Sequence, residues 1–69
     1  MSISQQVKES LDEAEKHLRN ALAFAARSEE PWVVKHITSC ILGIEEIYDV
    51  DEITERLNQL KKTFKGPNE

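Results

Sequence analysis

Cysteine is almost missing from this sequence: Cys40 stands alone. One thiol excludes an intramolecular disulfide and every multi-cysteine zinc motif. It also fits a reducing compartment better than a secreted scaffold. Long apolar runs are missing too, and none approaches the roughly 20 residues of a membrane span; Cys40-Ile41-Leu42 is stopped by Gly43. The opening Met1-Ser2-Ile3-Ser4-Gln5-Gln6 lacks the positive and apolar regions of a signal peptide, so the expectation is cytoplasmic, with no membrane partner. Basic residues are outnumbered, 9 Lys plus Arg against 13 Asp plus Glu for a net charge of -4. Nucleic-acid binding draws much of its affinity from phosphate neutralisation, so no nucleic-acid partner is expected.

Sixty-nine residues make a single domain with a thin core. A chain of that size removes only about 60 % of its unfolded surface from water. Without disulfides or a metal, regular helix packing or self-association must make up the difference.

What the sequence does have is helical periodicity, punctuated by its two glycines and two prolines. Val7, Leu11, Ala14, Leu18, Ala21 and Ala25 step 4-3-4-3-4, with Leu22 widening the stripe, as on an amphipathic helix. Ser28-Glu29-Glu30-Pro31 then closes one helix and opens another, since proline suits a first helical turn. Val33, Ile37, Cys40, Ile44 and Ile47 step 4-3-4-3, with Val34, Ile41 and Tyr48 broadening the face. Asp49-x-x-Glu52 has the form of a capping box, and Tyr48 and Ile53 are spaced for a hydrophobic staple. Val50, Ile53, Leu57, Leu60 and Phe64 continue at 3-4-3-4. Lys61, Lys62 and Lys65 complement a closing helix dipole, and Gly66-Pro67 is a normal stop.

The sequence therefore predicts an all-α fold, an antiparallel helical hairpin plus a third helix, forming a three-helix bundle that dimerises. The helices cover about 4–27, 31–48 and 50–65 of a single domain 1–69, with 66–69 a frayed tail. Their lengths at 1.5 Å per residue are about 36, 26 and 24 Å. The first helix would overhang its partners, leaving Ile3 and Val7 for a dimer to cover.

Chemistry is thin. His36 and Cys40 lie one turn apart, but a closed zinc site needs four ligands, and the other histidine, His17, is remote in sequence. Cys40 falls in the middle of an apolar stripe, so it reads as a small core residue and His36 as an edge residue. No catalytic residue, metal or cofactor is expected. Glu45, Glu46, Asp49, Asp51, Glu52 and Glu55 gather around the expected second corner. Their spacing does not match a calcium loop, so they read as capping groups and a solvated face, or else as an acidic patch for a basic partner. The informative oddities are apolar groups off the stripes. Phe24 lies about 100° from the first seam, Trp32 is similarly displaced, and Leu42 lies on the far side of the second helix. Gly43 in a helix interior costs about 1 kcal/mol relative to Ala. Phe24, Trp32, Leu42 and Gly43 form the candidate interaction surface.

Leu18-Arg19-Asn20-Ala21-Leu22-Ala23-Phe24-Ala25-Ala26-Arg27-Ser28-Glu29-Glu30-Pro31, about a fifth of the chain, resembles small uncharacterised helical proteins of T4-like cyanophages. The resemblance implies a phage accessory protein acting in the host cytoplasm and carries over no site residues. Ala14, Leu18, Ala21 and Leu22 also resemble the second helix of a tetratricopeptide repeat, but the proline is displaced to position 31 and no second repeat follows. The leading functional expectation is a non-enzymatic protein–protein interaction module, an adaptor or regulator, binding itself as a homodimer and possibly another protein. A purely structural helical oligomer is the alternative. A DNA-binding helix-turn-helix comes third, because acids open its candidate recognition helix.

Overall fold

The structure, a computed structural model, describes residues 3–64 and contains two helices, α1 (Gln5–Ser28) and α2 (Pro31–Phe64). Ser4 precedes α1 in extended conformation, and its Oγ accepts the Val7 N–H at 3.2 Å. That bond satisfies one of the free donors at a helix start. At the other end the Glu29 N–H donates to the Ala25 carbonyl at 2.9 Å, and the Val33 N–H donates to the Glu30 carbonyl at 3.0 Å. Between them the chain reverses at Glu29 and Glu30, and Pro31 takes the first position of α2, where no N–H is required.

The expected third helix is not a separate element. α2 runs without interruption from Pro31 to Phe64, so the three-helix bundle is corrected to a two-helix antiparallel hairpin. The capping-box residues Asp49 and Glu52 sit inside the helix, and Glu52 pairs with Arg56 at 3.6 Å, one turn further on. A capping box starts a helix only where the preceding chain leaves helical geometry, and nothing between Gly43 and Gly66 forces it to do so. What looks like a new start is a change of phase. At 100° per residue, the stripe 33-37-40-44-47 and the stripe 50-53-57-60-64 are about 140° apart on one continuous helix. The expected end near residue 65 and the frayed tail lie outside the described residues.

The hairpin seam joins Leu11, Ala14, Leu18, Leu22 and Ala25 of α1 to Val34, Ile37, Ile41, Ile44 and Tyr48 of α2, all at least half-buried. Ala25, Ile41 and Ile44 are its most buried members. The α2 side of this seam keeps Ile37 and Ile44 of the expected stripe, but Ile41 and Tyr48, which the sequence reading places only at its margin, take the inward positions from Cys40 and Ile47. Val33-Val34, Cys40-Ile41 and Ile47-Tyr48 are apolar doublets repeating every seven residues, and either member of each could face inward. The second member of the later pairs wins because Ile41 buries more apolar surface than Cys40, and because Tyr48 finds polar partners on α1. Cys40 is consequently exposed, not a core residue.

The overhang is also reversed. α2 is about 51 Å long and α1 about 36 Å at 1.5 Å per residue, so the second helix projects past the first. Near that end of the hairpin the Ile3 N–H donates to Asp51 Oδ1 at 2.9 Å, and residues 52–64 continue beyond this tie. The principal extents, 62 × 22 × 10 Å, describe a layer one helix deep.

Candidate interaction surface

Two polar devices hold the hairpin edges together, and neither resembles a reaction centre. The Tyr48 hydroxyl donates to Asp12 Oδ1 at 2.5 Å, with the Lys8 carbonyl a second acceptor at 3.3 Å. The bond to Asp12, reinforced by desolvation and by the nearby charges of Asp12 and Glu15, pushes the phenol pKa up to about 12. Arg19 Nη2 bridges Glu15 at 2.7 Å on its own helix and Glu45 at 2.9 Å on α2. The hydrogen bond to Glu15 is the main reason the guanidinium is held charged even more firmly than usual. These bonds fix the two helices in register. One of the six clustered acids is thereby used in the hairpin, and Asp51 is a second. With α2 continuous, the cluster lies along a helix and not at a corner.

The opposite side of α2 is apolar and uncovered. Val50, Ile53, Leu57 and Leu60 are 55 %, 54 %, 53 % and 49 % exposed. Their mean direction is about 170° from that of Ile41, Ile44 and Tyr48 at 100° per residue. α2 is thus amphipathic twice, facing α1 with its first half and facing outward with its second. Ile47 lies at the changeover. With Ile3, Glu46, Val50, Asp51 and Thr54 it lines a shallow, largely apolar groove that joins this outer face to the N-terminal end of the hairpin.

Of the residues singled out from sequence, Trp32 and Leu42 are exposed, and a Cβ on Gly43 would meet nothing within 4 Å. All three fall on the outer half of α2. Phe24 is exposed on α1 and makes no ring contact with Trp32 among the described residues; the Trp32 ring meets His36 edge-on, with centroids 6.1 Å apart. The structure therefore brings Trp32, Leu42 and Gly43 to one side and leaves Phe24 apart from them. Sequence reasoning assigned Val50, Ile53, Leu57 and Leu60 to a third-helix core. The signal that could have placed them outside was the step 47-50-53, two threes in succession, which marks the phase change.

Among the described residues, no group of three or more His, Cys, Asp or Glu could hold a metal ion, and no helix is long and apolar enough to cross a membrane. Compared with protein-family models, with curated proteins and with solved structures, the chain matches none.

Proposed function

We propose that this chain is a small non-enzymatic helical interaction module that works in self-associated form. The observation that carries this reading is the surface left in water. The chain exposes 5866 Å². The area-to-mass scaling gives about 4,400 Å² for a compact folded monomer of this mass. The excess is about a third, and much of it surrounds apolar side chains that a monomer gains nothing by presenting to water. A layer one helix deep also offers a small molecule no enclosing walls, whereas ligand sites are typically concave.

The purely structural alternative uses the same self-association but leaves no purpose for Phe24, Trp32 and Leu42. Their exposure favours the adaptor reading, in which the associated form presents them to another protein. A helix-turn-helix is not proposed, because α2 is continuous where its turn would have to lie.

Sedimentation equilibrium over a wide concentration range tests the proposal, together with melting at the same concentrations. Association makes Tm rise with concentration. A chain that sediments as a monomer throughout, with a concentration-independent Tm, overturns it.

A further inference from the structure

We propose that the occupant of the outer face of α2 is the same face of a second copy, running antiparallel to it. This rests on the self-associating reading above and gives it an orientation and a register.

The first argument is the spacing. Val50, Ile53, Leu57 and Leu60 step 3-4-3, and both Val50–Leu57 and Ile53–Leu60 repeat after seven residues. A period of 3.5 residues is what keeps a side-chain row facing a second helix that lies along the first. The series reads the same in both directions, so the stripe is its own antiparallel complement. Val50 then faces the second copy's Leu60, and Ile53 faces the second copy's Leu57, each pair occurring twice about the two-fold axis.

The second argument is charge. In that register the acid-rich stretch 45–55 runs alongside the second copy's lysine-bearing end, with Lys61 level with the second copy's Asp49 across the width of the stripe, and the one like-charge approach is Arg56 to the second copy's Arg56 at the two-fold axis. Asp49 and Lys61 are exposed in the single chain. A parallel pairing would set Arg56 beside the second copy's Lys61 twice per dimer, and would stack the acidic 45–55 segments on one another. Like charges so placed oppose the pairing.

The third argument is access. Because the outer stripe lies opposite the hairpin seam, a second copy docks on it without displacing α1.

The experiment uses the full chain. Sedimentation equilibrium is run on the wild type, Leu57→Glu, Phe24→Glu and Leu42→Glu, with circular dichroism confirming that each remains helical. The expected result is a dimer for the wild type, unchanged by Phe24→Glu and Leu42→Glu. Leu57→Glu weakens it about a hundredfold or more, because each dimer would bury two unpaired carboxylates. Orientation is read by disulfide trapping in a Cys40→Ser background. A mixture of Val50→Cys and Leu60→Cys chains cross-links, while neither does so alone, since a disulfide spans only about 4.4–6.8 Å between Cα atoms. A dimer that survives Leu57→Glu, or that cross-links through Val50→Cys alone, overturns this seam while leaving self-association intact. A wild-type monomer at every concentration overturns both.

Discussion

Tyr48 of α2 reaches across the hairpin to Asp12 of α1 and donates its hydroxyl proton at 2.5 Å. This bond decides which member of the Ile47-Tyr48 doublet turns inward, and so helps to set the phase of the helix that carries the outer stripe. It also ties stability to the protonation state of one phenol.

The neutral phenol is the form that the fold favours, because the pKa rises from 10.0 to about 12 in the folded chain. Its contribution is complete below pH 10 and is lost as pH climbs from about 10 toward 12. Melting followed by circular dichroism across that window is expected to show a fall in Tm for the wild type that Tyr48→Phe partly abolishes. Tyr48 is the only tyrosine, so phenolate absorbance reads its titration directly. Asp12→Asn is expected to bring the midpoint down from about 12 toward the ordinary value. A wild-type midpoint near 10 would show that the bond does not form in solution.

The seam register makes opposite demands on two adjacent residues. Ile41 is 5 % exposed and Cys40 is on the surface. Ile41→Ala is expected to cost about 2–5 kcal/mol, the range for truncating a buried aliphatic side chain, enough to unfold a thin hairpin. Cys40→Ser is expected to stay within about 0.5 kcal/mol, and a thiol reagent should label Cys40 in the native state. Protection of Cys40, or a large cost for Cys40→Ser, would restore the other register.

The sequence made the hairpin legible and its extent illegible, for one physical reason. Helix start and stop signals are local, and at Ser4 and Pro31 they agree with the tertiary arrangement. At Asp49 the local signal is equally good, but the chain has no need to turn there. The acid and Glu52 are as well solvated in a helix interior as at a cap. The phase of α2 was ambiguous because apolar doublets offer two seams, and the choice between Cys40 and Ile41 depends on what α1 presents. Phe24, Trp32 and Leu42 were legible as outward-facing, since a wheel places them off the stripes that pack the hairpin. Val50, Ile53, Leu57 and Leu60 were not, because a regular stripe looks the same whether it is covered by its own chain or by another.

Gly43 separates packing within this hairpin from packing against something else. A Cβ there meets nothing within 4 Å, and in the antiparallel register Gly43 lies outside the paired stripe. Gly43→Ala is therefore expected to stabilise the chain by about 1 kcal/mol through helix propensity alone. For a domain of this size, that corresponds to a Tm rise of about 4–8 °C at fixed protein concentration. A fall in stability would mean that another backbone approaches Gly43 closely in solution.

Continuity of α2 is tested most directly at Val50. Were Asp49 a true N-cap, Val50 would be the first residue of a new helix, and proline there would be accommodated almost freely. In the continuous helix the Val50 N–H belongs to the backbone ladder, and a proline ring would also clash with the Glu46 carbonyl. Val50→Pro is thus expected to cost about 3 kcal/mol or more, with loss of ellipticity at the helix band. Because Val50 also lies on the outer stripe, association alone cannot report the break. Amide exchange can: the amides of residues 49–54 are expected to lose protection in the proline variant at concentrations where a Val50→Ala control keeps it. Equal protection in the two variants would mean that the chain already turns at Asp49, returning residues 50–64 to the separate helix that their spacing first suggested.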